Sequence, residues 1–552
     1  MNFKENESEQ KLRGGYYTPL DLAAYIARWS LGNNPKTMLE PSCGDGVFVK
    51  ALSEIGFSSA ISFTGFEILK TEAAKARNMC RNLPGLNWEI YGEEFLSWAI
   101  NQLLQGQQKF DAVVGNPPFI RYQYLPQEYQ QKAEAIFKIL HLPFTKHTNA
   151  WVPFVLASIA LLKPGGRLGM ILPSEIVHIP HAQSLRTFLG TTCGRLLIID
   201  PEEIWFDGTL QGAVILFAEK KRTLAENSDG VGIVKVSGRK FLNNDPTNLF
   251  DCAVRMNGKT VAGKWTRALL TADELDLLDG VCKRADVYRF DQIAQVDVGI
   301  VTGANKFFLV CDETVKKFQL EKFAHPMFGR SEHCPGVIYD ERQHQENTRL
   351  GYPTNFIWFK DSETALNKYA REYIKLGEAQ KLHTRYKCRV RKPWYAVPSI
   401  YATRIGMLKR AHDAPRLILN KLEAYTTDTA YRINAKGCNP EKLIYCFLNA
   451  LTALSAELEG RHYGGGVLEL VPTEIEKLIV PLPSAIRPEI RKLDTLVRQS
   501  SMLSVFEKQN KMVLGEIGLS KFEQNQLLAA WLRLRNRRQR LSDDEPTNRS
   551  QS

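Results

Sequence analysis

The chain has 552 residues, 44% of them hydrophobic and 24% charged, too many for one ordinary core and the balance of a soluble globular protein of two or three compact units. No apolar run reaches bilayer length, the opening "MNFKENESEQ" has no secretory signal, and the ten cysteines form no C-x-x-C pair or histidine-flanked set, so a membrane protein, a disulfide scaffold and a metal site are set aside and a cytoplasmic location is expected. The net charge of +12 is uneven: residues 1–250 carry 25 Lys+Arg against 24 Asp+Glu and residues 251–552 carry 47 against 36, which suggests a polyanionic partner for the second part.

From the N-terminus, seven apolar runs read as strands: KTMLE (36–40), ISFTGFE (61–67), WEIYGE (88–93), FDAVVG (110–115), RLGMILP (167–173), RLLIID (195–200) and GAVILFAE (212–219). Amphipathic segments such as Asp45–Ile55 and Ala150–Leu162 fall between several of them, which predicts an α/β fold with a doubly wound, seven-stranded, mostly parallel sheet. The irregular PEEIWFDGTLQ before the last run shows no helix, so an antiparallel strand is expected at that edge. The polar texture of 221–250 reads as a linker and closes a first domain at residue 245. Short mixed α+β elements over 246–483 form a second domain, 484–540 is a helical part, and 541–552 has the composition of a disordered tail.

Three strand ends carry candidate chemistry. In MLEPSCGDGVF (38–48), glycines 44 and 46 permit a tight strand-to-helix turn that a ligand can approach, while Glu40 offers a carboxylate, which disfavours a phosphate and favours amino or hydroxyl donors. Cys43 within it reads as a packed small residue, because no activating histidine is close in sequence. The second strand ends at Glu67 and the third at Glu93, Glu94 and Phe95. Each glutamate alone would be a solvated loop charge; the ordered series of carboxylates plus an aromatic describes an adenosine pocket.

The fourth strand ends in Asn116-Pro117-Pro118-Phe119. Prolines lack N–H donors and hold the backbone extended, which leaves the Asn116 and Pro117 carbonyls as acceptors. An Asn side-chain oxygen beside a fixed carbonyl can take both hydrogens of an exocyclic amine, and Phe119 supplies a flat face for a base.

NPPF together with EPSCGDG resembles the motifs of class I S-adenosylmethionine-dependent methyltransferases, and specifically the N6-adenine DNA methyltransferases. GGYYTPLDLAAYIA (14–27) precedes the Gly turn and looks like the cofactor-contacting Tyr-Thr-Pro element of the gamma arrangement found in type II restriction-modification systems. The resemblance implies S-adenosylmethionine held by Tyr17, Thr18, Pro19, Glu40, Ser42, Gly44, Glu67, Glu94, Phe95 and Asn116, no metal, and chemistry at Asn116, Pro117 and Phe119, with Phe206 closing on the far side of a flipped adenine. It further implies double-stranded DNA as partner, a possible cognate restriction endonuclease not needed for activity, and a monomer. Glu94 stands where the family often has Asp, on a longer arm.

In the second half, VDVGIVTGANKFFLV (296–310), RYKCRVRKPWYAVP (385–398) and GRHYGGGVLELVPTEIEKLIVPLP (460–483) look like segments of the family's target-recognition region. Residues 381–421 also hold eleven Lys+Arg against the single acid Asp413, interleaved with Tyr386, Trp394, Tyr395 and Tyr401, a pattern that suits phosphates and exposed bases. DNA contacts are expected from Arg389, Arg391, Lys392, Trp394, Asn305 and Lys306. Rival readings are an amino-group methyltransferase of RNA or protein glutamine, against which the large basic second region counts, and a catalytically inactive DNA-binding subunit, against which the intact NPPF and Gly turn count.

Overall fold

The computed structural model describes residues 17–539 except 58–59, 82, 84, 204, 206–211, 257–263, 360–365 and 464. Two compact units divide them, one running to Leu269 and the other from Leu270 to Gln539.

The first unit is one sheet between helices. Its strands are β1 (Thr37–Glu40), β2 (Ile61–Phe66), β3 (Leu86–Tyr91), β4 (Phe110–Gly115), β5 (Leu162–Pro173), β6 (Cys193–Pro201), β7 (Ala213–Lys220) and β8 (Gly230–Val236), in the order β3-β2-β1-β4-β5-β7-β6-β8. Neighbours from β3 to β5 pair in parallel, β7 runs antiparallel between β5 and β6, and β8 is parallel to β6. The helices are α1 (Leu20–Leu31), α2 (Val47–Ile55), α3 (Lys70–Arg81), α4 (Phe95–Leu104), α5 (Gln127–Ile139), α6 (Trp151–Leu161), α7 (Gln183–Thr192) and α8 (Pro246–Cys252). Successive strand residues point to opposite faces, so continuous apolar strands need helices on both. Leu39, Val113, Met170 and Leu216 pack with Leu96, Trp151 and Leu185 of α4, α6 and α7, while Met38, Ala112, Val114, Ile171 and Ile215 pack with Ile26, Trp29 and Phe48 of α1 and α2.

Among the described residues eight strands stand where the pattern predicts seven, and the antiparallel strand β7 is internal. The added edge strand β8, GVGIVKV, is short and glycine-interrupted inside a polar stretch, which is why it reads as linker. Gly232 has a packing reason: a Cβ there would lie 2.7 Å from the Val254 carbonyl oxygen. The following chain covers that edge, with Met256 N donating to Val231 O at 3.1 Å. The Phe250 ring of α8 packs 4.2 Å from Trp29, and Trp265 is fully buried in the core of this unit. Residues 246–269 therefore belong to the first unit, and the boundary expected at 245 moves to Leu269.

The second unit carries a five-stranded sheet in the spatial order Ala294–Val298, Ala430–Ala435, Ile405–Leu408, Leu417–Asn420, Ile338–Tyr339, and a four-stranded sheet in the order Leu309–Val310, Asn355–Ile357, Ala324–Phe328, Tyr425–Thr426. Its last helix, Lys521–Gln539, does not stand apart as a separate helical part. Arg538, fully buried, donates through Nη2 and Nε to Glu457 at 2.7 and 2.9 Å, and Arg533 reaches Glu274 at 2.6 Å. A buried ion pair persists only when its remaining donors are satisfied, and Arg538 also donates to the His412 and Asp413 carbonyls.

Candidate functional site

The C-terminal ends of β1, β2 and β4 meet at one edge of the first unit's sheet. Cys43 N donates to Phe66 O at 2.8 Å and Gly46 N to Cys43 O at 2.8 Å, which closes the turn between β1 and α2. Gly46 has φ +96°, and a Cβ there would sit 3.0 Å from Ala76 Cα. Gly44 has φ +50° and faces open space, with nothing within 4 Å of where its Cβ would be, so a ligand can approach its backbone. Cys43 is buried and its thiol is pushed up by that burial, which suits a packed residue.

Glu40 is 1% exposed, and its Oε2 has no hydrogen-bond partner among the described residues. Burial first, then Asp45 and Glu67, raise its carboxyl well above the ordinary carboxylate range. Glu67 accepts from Gly44 N at 3.0 Å and Leu69 N at 2.8 Å, so the backbone aims the carboxylate across the turn; burial nevertheless lifts its pKa. An edge lined by Glu40, Asp45 and Glu67 fits a ligand with positive charge and N–H or O–H donors, and disfavours a phosphate-bearing one.

Asn116 joins this edge to the segment before α1. Its Nδ2 donates to the buried Thr18 Oγ1 at 3.2 Å, and its carbonyl accepts from Ser42 Oγ at 3.0 Å. The Pro117 carbonyl accepts no hydrogen bond among the described residues. Phe119 is half-buried and packs against both cores. Pro19 precedes α1 with its carbonyl accepting from Ala23 N, and Tyr17 is exposed with its hydroxyl donating to Glu72 at 3.3 Å. Thr18, Glu40, Ser42, Gly44, Glu67 and Asn116, 98 residues apart in sequence, thus form one edge.

Two expectations change. Glu94 is the N-cap of α4: Oε1 accepts from Leu96 N, Oε2 from Ser97 N and Ser97 Oγ, and Lys132 lies 3.3 Å away. The longer arm folds back on its own helix, which leaves Oε1 one lone pair for a ligand. Phe95 is 1% exposed, its ring among Phe66, Trp98 and Phe154, so it is a core residue without a face to offer. Phe206 lies outside the described residues. Sequence reasoning also missed Asn149 and Glu175, which are buried next to the chain leaving Phe119. Glu175 follows β5 as Glu67 follows β2, and the rule of acids at strand ends could have found it.

In the second unit the predicted contact residues divide. Arg391 donates to the Thr302 and Val301 carbonyls at 2.8 and 2.7 Å, and Trp394 is buried with Nε1 donating to Glu378 at 3.3 Å. Asn305 is committed to Asp428 at 3.0 Å and to Thr302. Arg391 and Trp394 hold the fold together and are corrected as DNA contacts, since their donors are spent on the fold; Asn305 is half-buried, and its bond to Asp428 lies at the surface. Gly303 permits the docking, since a Cβ there would lie 2.7 Å from Lys387 Cβ. Lys306, Arg389 and Lys392 are exposed, as are Tyr386 (66% exposed) and Val390 (67% exposed). Lys387 Nζ and the Arg389 guanidinium lie 5.6 and 5.4 Å from the Tyr386 ring.

Residues 53–204 match the model of the Eco57I restriction-modification methylase family, and residues 262–514 that of the C-terminal domain of the type II methyltransferase M.Eco57I. The chain is similar to the type II methyltransferase M.AccI of Acinetobacter calcoaceticus, 24% identical over 84% of each chain. It is similar to M.HindII of Haemophilus influenzae at 21% identity over 57% of this chain and 58% of that one. The solved DrdV–DNA complex aligns with 90% of this chain and 57% of that chain at 12% identity, with a TM-score of 0.49.

Proposed function

Because this chain is a relative of the type II restriction-modification methyltransferases, with an Eco57I-type match in each half, we propose that it transfers a methyl group to N6 of adenine in duplex DNA. The cofactor is S-adenosylmethionine, which supplies an electrophilic methyl on a sulfonium centre when bound. Glu40 and Glu67 suit its charge and hydroxyl donors, the Gly44 backbone its close approach, and Thr18, Ser42 and Asn116 close the edge. Glu94 contributes one remaining lone pair, and Phe95 only packing.

A paired adenine keeps its amine inside the stack, so the target must be turned out, at a cost of a few kcal/mol. Phe119 recovers part of that by stacking, and Phe206 is the candidate for the opposite face. The Asn116 side-chain oxygen and the Pro117 carbonyl then accept the two N6 hydrogens, which directs the nitrogen lone pair outward for attack without a covalent enzyme intermediate. Positioning supplies most of the acceleration. Asn116 needs its amide oxygen for this, and the bond from Nδ2 to Thr18 orients the amide with that oxygen away from Thr18. That bond is the observation that carries the reading.

The second unit grips the duplex backbone through its exposed basic turn, and a monomer with an independent partner endonuclease fits the arrangement. Expression in a host without adenine methylation, followed by sequencing of its DNA, tests the proposal: N6-methyladenine at one recurring sequence is expected. An unmodified genome, or N4-methylcytosine instead, overturns it.

A further inference from the structure

Beside the Asn-Pro-Pro-Phe turn, two loops of the first unit are joined. The chain leaving Phe119 runs through Arg121, Tyr122 and Tyr124, and Thr145–Asn149 lies alongside it. Buried Asn149 holds the seam: its Oδ1 accepts from Tyr122 N at 3.1 Å and its Nδ2 donates to Glu175 Oε2 at 3.1 Å. Ala150 N donates to Ile120 O at 3.0 Å, and the Tyr122 and His147 rings meet edge-on at 4.7 Å. Glu175 is fixed in turn, because buried Arg186 donates to the Ile176 and Ile179 carbonyls at 2.9 Å each.

The exposed charges of these loops are of one sign, with the buried Glu175 carboxylate close enough to Arg121 to interact with it. Arg121, Lys146 and His147 are exposed, and no Asp or Glu occurs between Asp111 and Glu128 or between Glu134 and Glu175. A positive edge whose backbone is locked by buried polar groups suits a fixed anion better than bulk solvent. Arg121 is five residues from Asn116, so the two can be at most about 17 Å apart along the chain. An everted base brings its own flanking phosphates to the same place.

We propose that this seam is a nucleic-acid contact of the catalytic unit itself, in which Arg121 and Lys146 take backbone phosphates flanking the everted base, with Asn149 and Glu175 as positioning residues. The inference rests on the reading of the chain as a DNA methyltransferase.

The test is a salt titration of duplex affinity for the parent and for Arg121→Gln/Lys146→Gln, with Lys36→Gln/Arg222→Gln as control. The control changes the same net charge on exposed side chains at the opposite end of the strands. The seam variant is expected to bind at least about tenfold more weakly, with a log–log salt slope shallower by about 1.8, while the control stays near the parent and cofactor affinity is unchanged in both. Glu175→Ala should lower kcat roughly tenfold with the cofactor KM unmoved, and Glu175→Gln, which keeps an acceptor for Asn149, should restore it. A seam variant with the parent's slope and affinity, or a loss matched by the control, overturns the proposal. The two failures separate: a parent that methylates duplex DNA beside an unaffected seam variant refutes the seam alone, whereas a parent that methylates no DNA refutes the underlying reading and the seam with it.

Discussion

In the first unit, residues with chemistry to offer sit on backbone that has few other shapes available. Pro117 and Pro118 fix the chain after β4, Gly44 and Gly46 occupy positive φ, and Asn116 is tied to both Thr18 and Ser42. In the second unit the basic stretch has fixed backbone points of its own, Lys381 and Ser399 at positive φ, yet its charges divide: Arg391 turns inward to two carbonyls while Arg389 and Lys392, close in sequence, face water. A motif built from Gly, Pro and Asn states a backbone shape and hence a direction for its side chains. A run of Lys and Arg states only a charge, because a long side chain can reach solvent or a buried carbonyl from the same position.

Changes at the Asn116 turn should remove chemistry without binding, whereas changes in the second unit should act on stability or on binding according to direction. The largest effect belongs to Asn116→Ala. It should lower methyl transfer on the order of 10²–10³-fold, as loss of one preorganised hydrogen-bonding group does, with duplex affinity nearly intact. Single-turnover transfer measured beside a binding isotherm checks this; equal losses in both would erase the distinction between the units.

Next is Arg391→Ala. It should lower unfolding free energy by about 2–3 kcal/mol in denaturant titrations, because two charge-assisted hydrogen bonds are lost, the Val301 carbonyl loses the Arg391 donor, and Thr302 keeps only the weak Cys388 thiol donor. Unchanged stability with weakened DNA binding would return Arg391 to the interface.

Acid should separate the units further. His333 is buried in the second unit, both ring nitrogens lack partners among the described residues, and burial holds its pKa down to about 4 from 6.5. The unfolded chain therefore takes up a proton that the folded chain refuses as pH falls through 6.5 toward about 4. Stability is lost across that window, about 2 kcal/mol of it between pH 7 and pH 5. In the first unit, Glu40 and Glu175 are raised by burial, so the folded state binds their protons first and these groups favour the fold as pH falls. Urea titrations at the two pH values, repeated for His333→Gln, should show the acid loss disappear in the variant; a persistent loss would place it elsewhere.

The smallest effect is that of Arg389→Ala. It should leave stability unchanged and make the salt slope of duplex affinity shallower by about 0.9, one phosphate contact's worth, in a titration over salt. An unchanged slope would turn the exposed basic turn away from DNA.

Much of the first unit was legible because continuous apolar runs ending in Gly, Pro or acid mark buried parallel strands and their working ends. β8 was not, since GVGIVKV is interrupted by glycines, Gly232 among them required by a neighbouring carbonyl, and a polar stretch surrounds it. Glu94 and Phe95 sit at the right strand end, yet an acid just before a helix also caps it, and an aromatic there also fills the core; nothing local separates those roles. Asn149 precedes an apolar helix without advertising a partner 26 residues on. In the second unit, short strands paired across a hundred residues or more, such as Ala294–Val298 with Ala430–Ala435, leave little local trace of which side chains turn inward.

Whether the Asn116 turn presents an adenine amine for methylation is decided by chromatography and mass spectrometry of nucleosides from duplex DNA incubated with S-adenosylmethionine and either the parent or Asn116→Ala. N6-methyldeoxyadenosine as the sole new nucleoside, formed by the parent and not by the variant, is the predicted result; a methylated cytosine, or N6-methyldeoxyadenosine formed at the parent's rate by Asn116→Ala, would contradict it.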